Sequence, residues 1–514
     1  MCKCHIFALV YYLRAVRTEV TACLGHIPWA VRQQEAGADV QGNLTIREPV
    51  PEADLWDRVA LPSAPPEPPA GPVAAPGLRR ALSLLEEGVL TSKANRSCGS
   101  YAARAVPSAG ALYPYEFAVL TGEGGVPTAF RVDADRRTCA RVAAGAAVAA
   151  ALDASDLAVP EGGGALVVTL TRPWLSMRKY GDRGYLYTQL DAGHAAGNLV
   201  LAAAGRGAAG ALRLRFPRES LSQLLEANEN CREIHSVTLL PAGPADDSWT
   251  RWTVHDDTDR ERRGPTWRSW LESTCWDSLA GWAGHSEIPA LHTVAAPLAR
   301  VRTDGRLPAA DSGLGDASAW SELIGTRASS KAFTGAPVPA AAVWQAVSAL
   351  TTPLETDLPD TTALSATLVL RSAAEPGHDA VYRLDTGERR PGRLPSTDEV
   401  ARACMQQRAL AGAAAILLLH VPRTSLAGAG SAAGAENLRE LAFRCGALGQ
   451  LLYLGAHRAR VGVTAIGGFD TPLWRTLAGL PEDDEILYAL LIGCPDDSGI
   501  KFDRLAMAHA QNER

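Results

Sequence analysis

"LDAGHAAGNLVLAAAG", residues 190–205, and "LAFRCGALGQLLYLGA", residues 441–456, are two stretches of one chain with the same design. Each is long enough for several helical turns, and each is so rich in Ala and Gly that neighbours can pack closely on both sides. Their surroundings match too. "ALVVTLTRPWL" (165–175) resembles "AAILLLHVPRTSL" (414–426), a buried strand running into a proline and a loop. "ESLSQLLEANENCREIHSVTLLPAG" (219–243) resembles "TPLWRTLAGLPEDDEILYALLIGCP" (471–495), a helix, an acidic turn and an apolar strand. A fold in which helices and strands mix at this spacing is an α+β or α/β sandwich, and here it is written twice. The chain therefore reads as a fused pseudo-dimer.

The remainder fits around these repeats. The Pro/Ala run "LPSAPPEPPAGPVAAPG" (61–77) is a linker that stays extended. The expected units are an N-terminal extension with this linker (1–76), a first domain (77–245), a Trp-rich connector (246–320) and a second domain (321–514). Within it, residues 249–282 hold six of the twelve tryptophans, Trp249, Trp252, Trp267, Trp270, Trp276 and Trp282, read as indoles packing on the two domains or as a substrate surface. A chain of 514 residues with 47% hydrophobic and 21% charged residues has enough apolar material for two cores. A net charge of −6 gives no footprint for nucleic acid or an anionic membrane. The ten cysteines form no CxxC pair, and Cys2, Cys4 and His5 have no answering half-site, so reduced thiols and no metal site are expected. The opening apolar run is short, and no later stretch reaches the length of a membrane span, so a cytoplasmic protein is expected.

Several stretches carry candidate chemistry. "RASSKAF" (327–333) places Arg327, Ser329 and Lys331 at a chain turn, a donor set for an anionic oxygen cluster, although such strings also arise in surface loops. "AIGGFD" (465–470) pairs Gly467 with Gly468, whose bare backbone can meet a flat ligand edge or simply make a turn. "GIKFDR" adds Lys501 and Arg504, as phosphate partners or as a solvated tail. "RKYGDRGYLYTQLDAGH" (178–194) sets Lys179 beside Tyr180, a pair able to tune each other for proton transfer, or an aromatic loop held by a cation. "SYAARAVPSAGALYPYEF" (100–117) has a turn of small residues at Pro107, Ser108 and Ala109 running into an aromatic strand, a backbone suited to lying against something flat.

"RAVPSAGALYPYEF", "KYGDRGYLYTQLDAGHAAGNL" and "RASSKAF" together resemble the flavin-dependent nitroreductase superfamily. More narrowly, they resemble the azoline dehydrogenases that aromatise thiazoline and oxazoline rings in ribosomal peptide natural products. The resemblance spans nearly all of residues 80–505. It implies two tandem domains, each with a mostly antiparallel central sheet flanked by helices, and FMN at the interface between them. It implies that one half supplies Arg327, Ser329, Lys331, Gly467 and Gly468, and that the other supplies Pro107, Ser108 and Ala109. It further implies catalytic roles for Lys179 and Tyr180, and an azoline-containing precursor peptide as substrate, as in thiopeptide-like pathways.

Each half lacks what the other keeps. The second half's counterpart of the PSAG turn is "LPDTTALSATLVL", and in the first half "RLRFPRES" stands where the glycine edge is expected. One complete flavin site and one dead site are expected, in a monomeric pseudo-dimer or a higher homo-oligomer. Residues 1–60 are read either as a packing extension or as a contact for leader peptide or a cyclodehydratase. Two other readings remain: a nitro- or quinone reductase fed by NAD(P)H, and a flavin-free scaffold that binds precursor peptide.

Overall fold

The computed structural model describes residues 71–72, 75–90, 104–134, 137–173, 176, 183–227, 232–243, 252–256, 313–358, 364–390, 392–426 and 432–496. The first half contains β1 (Gly71–Pro72), helix α1 (Pro76–Leu85), β2 (Tyr115–Glu123), β3 (Val126–Asp133), β4 (Thr138–Ala144), α2 (Ala146–Ala154), β5 (Ala165–Thr171), α3 (Arg183–Gly205), β6 (Ala211–Arg213), α4 (Glu219–Leu224), β7 (Glu233–Leu240) and β8 (Thr253–Asp256). The second contains α5 (Trp320–Thr326), α6 (Ala340–Ser348), β9 (Glu355–Thr356), β10 (Ser365–Leu370), β11 (Ala380–Arg383), β12 (Arg389–Arg390), α7 (Thr397–Ala403), β13 (Ala415–Pro422), α8 (Ala432–Arg458), β14 (Gly462–Ile466), α9 (Thr471–Ala478) and β15 (Asp484–Gly493).

The duplication is exact at the level of topology. One sheet contains the run β4-β3-β2-β5-β7-β6 and the other runs β12-β11-β10-β13-β15-β14, with every neighbouring pair in both runs antiparallel. Even the irregularities match. A bulge between Thr169 and Leu170 passes over His235 on β7, and a bulge between Leu419 and His420 passes over Leu487 on β15. Beyond this shared frame the first sheet takes β1 and β8 at one edge and β9 at the other. The strip Thr253–Asp256 of the expected connector is thus a strand of the first sheet, parallel to β4, and Trp252 beside it is buried. The other five tryptophans of the 249–282 stretch lie outside the described residues.

Local signals start and stop the elements. Ser396 and Glu399 form a reciprocal capping box at the start of α7. Asp470 caps α9 through the Leu473 N–H, and Gly479 ends that helix at a left-handed φ of 61°. Strands β5 and β15 are buried along their whole length, which is why they read as continuous apolar runs rather than alternating ones. Their outward faces pack beneath α2 and α4 in the first half and beneath α7 and α9 in the second. The inward faces belong to one apolar cluster shared by the halves, reaching from Leu78 and Val119 through Leu199 and Leu448 to Leu417 and Leu490.

At the centre of that cluster α3 crosses α8. The helices end at Gly205 and Arg458, so Gly193 matches Gly446, two residues away from the alignment of the quoted stretches. These two glycines meet each other. A Cβ on Gly446 would lie 2.2 Å from the Leu190 carbonyl oxygen, and one on Gly193 would lie 2.7 Å from that of Phe443. The halves can approach this closely only because neither position carries a side chain. Gly446→Ala is expected to cost about 1–3 kcal/mol by overpacking, despite alanine's better helix propensity. Gly122→Ala, where a Cβ meets nothing within 4 Å, is expected to stay within about 0.5 kcal/mol. Thermal or denaturant unfolding of the two variants checks this.

Candidate functional site

Helix α3 carries Tyr187, Asp191, His194 and Asn198, spaced by three and four residues and therefore on one stripe. All four side chains are buried. Each has a separate task.

His194 ties the halves together. Its Nδ1 lies 3.1 Å from Gln450 Oε1 and its Nε2 lies 2.9 Å from Tyr488 Oη. Burial pushes its pKa down to about 3, against the bond to Gln450 and reinforced by the charge of Arg327, so the ring is neutral. Asn198 donates to the Gly88 carbonyl beyond α1.

Asp191 holds the small-residue turn. Ser108 Oγ donates to Asp191 Oδ2 at 2.5 Å, and the Ala109 N–H reaches the same carboxylate at 3.2 Å. Ser108 Oγ also accepts from the Tyr113 N–H at 2.8 Å, which folds the turn back on itself. Gly110, Ala111 and Tyr113 all have positive φ, 62°, 56° and 48°, so this segment departs from ordinary backbone wherever it rounds the turn. Pro107, Ser108 and Ala109 remain partly exposed, while Tyr113 and Tyr115 beyond them are buried.

The second half's basic segment lies beside this turn. Arg327 Nε donates to the Ala105 carbonyl at 2.5 Å and Nη2 to the Arg104 carbonyl at 3.2 Å, just ahead of Pro107. Nη1 donates to Ser329 Oγ at 3.1 Å, and Ser329 in turn donates to Tyr453 Oη at 3.2 Å. The Tyr453 hydroxyl also accepts the Ala465 N–H at 2.8 Å, and the Arg327 guanidinium sits 5.2 Å from the Tyr453 ring centre. The Ser330 N–H bonds the Val463 carbonyl at 2.8 Å, which lays the segment along the edge of β14. Arg327 is buried, whereas Ser329, Ser330 and Lys331 are partly exposed.

At the end of β14 come Gly467 and Gly468, both partly exposed. A Cβ on Gly467 would lie 2.1 Å from the ring of Tyr187, so this glycine is fixed by the first half's helix. The structure thus gathers Pro107, Ser108 and Ala109 from one half and Arg327, Ser329, Lys331, Gly467 and Gly468 from the other around a single junction of the halves. Lys179, Tyr180, Lys501 and Arg504 lie outside the described residues. Asp191 and Tyr453 were not singled out from the sequence. The signal for Asp191 was its place four residues after Tyr187 and three before His194 in an otherwise apolar helix. Tyr453 gave no such signal.

No groups of three or more His, Cys, Asp or Glu side chains able to hold a metal occur among the described residues. No helix among them is long and apolar enough to cross a membrane.

Comparison with known proteins agrees with this architecture. The model of the nitroreductase family matches residues 90–240 and again 324–494. A protein of Anabaena variabilis assigned as a nitroreductase is similar in structure, with a TM-score of 0.59 and 19% identity, over 82% of this chain and 88% of that one. Both halves thus align within one polypeptide of that protein. Weaker likenesses cover 42% of this chain and 93% of a chain in the E. coli microcin synthetase McbBCD complex (15% identity, TM-score 0.27), and 36% and 90% for the FMN-dependent nitroreductase NfnB of Mycobacterium smegmatis (17%, 0.22). No curated protein matches the chain.

Asp191 gives a pH signature. Burial raises its pKa to about 8, with the bonds from Ser108 and Ala109 pulling partly the other way. Between the ordinary range of an aspartate, about 4, and that value, the native state keeps a proton that the unfolded chain has released. Stability therefore falls as pH rises through this window, by at most about 1.4 kcal/mol per pH unit from this group. Asp191→Asn is expected to flatten that slope in unfolding measured from pH 5 to pH 8.

Proposed function

The chain belongs to the nitroreductase family, generally FMN-dependent oxidoreductases, and from that premise we propose that it is an FMN-dependent dehydrogenase that oxidises thiazolines or oxazolines in a precursor peptide to the aromatic azoles. One composite FMN site between the halves serves the reaction, and a cyclodehydratase supplies the azoline. The observation that carries the reading is the bridge from Arg327 to the carbonyls of Arg104 and Ala105. It brings the Arg327 segment of one half to the small-residue turn of the other, which supports a site shared between them.

The donor set fits the cofactor. Arg327, Ser329 and Lys331 are two cations and a hydroxyl within five residues, suited to a phosphate, with Lys501 and Arg504 as further partners. Pro107, Ser108 and Ala109 offer a backbone with little side chain for a flat ring to rest on. Gly467 and Gly468 offer backbone N–H groups at the end of a buried strand, able to stabilise negative charge at the ring edge. FMN, when bound, supplies the two-electron acceptor that takes hydride from the azoline's β-carbon.

The protein's own part is the proton. The azoline Cα–H is acidified by the ring imine and the neighbouring carbonyl. Tyr180 takes this proton, with Lys179 beside it holding the phenol in a more acidic range. One proton and one hydride leave, and the ring becomes aromatic. This pair immediately precedes α3, the helix whose Tyr187 meets Gly467 and whose Asp191 holds Ser108. Asp191 and Tyr453 position the turn and the basic segment rather than act on substrate.

Purified protein is expected to be yellow, with one FMN per chain. Lys179→Ala and Tyr180→Phe are expected to keep that FMN and to slow its single-turnover reduction by a thiazoline peptide about 100-fold or more. Unchanged reduction in both variants rejects the assignment of the base. Rapid bleaching by NADPH without peptide favours a nicotinamide-fed reductase, and a protein that takes up no FMN favours a scaffold.

A further inference from the structure

The pseudo-two-fold that relates the halves also relates two interface sites, and the register identifies the second. Arg213 on β6 pairs with Val237, two residues past the bulged His235. Ile466 on β14 pairs with Ala489, two residues past the bulged Leu487. Arg213 therefore matches Ile466, and the next two residues, Leu214 and Arg215, match Gly467 and Gly468. The same helix correspondence that matches Gly193 with Gly446 matches Tyr187 with Glu440.

This second junction is built from the same positions with opposite chemistry. At the first, the edge of β14 is covered by the second half's own basic segment, through Ser330 and Val463. At the second, the edge of β6 is covered by β9, a strand sent across from the second half, with Glu355 opposite Ala211 and Thr356 opposite Leu212 in parallel register. The Asp357 N–H continues the ladder to the Leu212 carbonyl at 3.2 Å. The Asp357 side chain then turns onto the matching backbone. Its carboxylate accepts the Leu214 N–H at 2.9 and 3.1 Å and the Arg215 N–H at 2.9 Å. Arg215, in the place of Gly468, grips Glu440 across the halves with two bonds of 2.5 and 2.7 Å.

We infer that the second interface is a self-ligated remnant that takes no cofactor: Asp357 is its permanent internal ligand, its carboxylate occupying the backbone amides of Leu214 and Arg215, the positions that match Gly467 and Gly468. An acidic strand stands where a phosphate would need a basic one, and side chains fill the edge where a ring would need glycine. The interface has exchanged binding for cohesion. It locks the halves together on that side. The inference rests on the proposed function only in taking Gly467 and Gly468 to face FMN; the occupancy of Leu214 and Arg215 by Asp357 stands apart from it.

The test removes the internal ligand and offers a substitute. In Asp357→Ala of the full chain, the Leu214 and Arg215 amides are expected to exchange hydrogen about tenfold faster or more, and Tm is expected to fall by about 3 °C or more. Formate, a small carboxylate, is expected to restore both, and chloride at equal ionic strength is not. FMN content is expected to stay at one per chain in wild type and variant. Should the alanine variant not fold, Asp357→Asn keeps an acceptor oxygen and is expected to show the faster exchange. Two FMN per wild-type chain overturns the inference. So does unchanged exchange at Leu214 and Arg215, or a loss that formate and chloride repair equally. A chain that takes up no FMN but shows rapid exchange and formate rescue overturns the proposed function and leaves the internal ligand standing.

Discussion

The structure depends on a contact between two residues without side chains. Gly193 and Gly446 let α3 and α8 cross at backbone distance, and that crossing is where the halves are joined. Everything polar at the interface is measured outward from it. One residue beyond Gly193, His194 reaches Gln450 and Tyr488; two before it, Asp191 reaches the small-residue turn. With side chains at the crossing the helices would stand farther apart, and bonds near 3 Å between the halves would become gaps. A neutral, fully buried histidine is tolerable here only because both ring nitrogens find partners on the opposite helix and strand.

The duplicated fold was legible because burial writes itself into composition. Strands covered on both faces must be apolar throughout, and helices that pack on both sides must be small, so β5 and β13, and α3 and α8, resemble each other despite little identity. The mostly antiparallel order, and the division of turn and glycine edge between the halves, are what the family resemblance implies. What stayed hidden was pairing between distant segments. Nothing in "PLETDLP" says that Glu355 and Thr356 join a strand some 140 residues earlier, or that Thr253–Asp256 lies parallel to β4. A two-residue parallel pairing has no periodicity to read. The two-residue shift in the helix alignment has a related cause. In a run of Ala and Gly the composition is nearly the same at every offset, and the true one is set by the helix ends and the close approach of Gly193 and Gly446.

The candidate site was legible in its pieces but not in its connections. Arg327 was read as an anion-binding residue from its neighbours Ser329 and Lys331. In the structure it also spans the interface, because two backbone carbonyls of the first half accept its N–H groups. Asp191 was overlooked because one acid among alanines resembles an ordinary helix residue until its depth is known. Buried at that depth, a carboxyl group needs hydrogen-bond partners, and the two it has come from the turn itself. The same bonds that keep Asp191 satisfied keep Ser108 and Ala109 where they are, so the shape of the turn and the burial of the acid are one constraint.

The two junctions show how a fused pair is free to become unequal. In a symmetric homodimer a substitution at one interface appears at the other, and an acid placed against one backbone edge is placed against both. Fusion removes that bond. Leu214 and Gly467, or Glu440 and Tyr187, occupy matching positions yet can change separately. The structure records the result: one junction carries the Arg215–Glu440 ion pair and the Asp357 carboxylate on its backbone edge, while the other keeps small residues there, with Ser329 and Lys331 partly exposed. Stability and ligand binding compete at any single interface, since a surface shaped for a ligand is not shaped for packing. With two interfaces on one chain, the competing demands fall in different places.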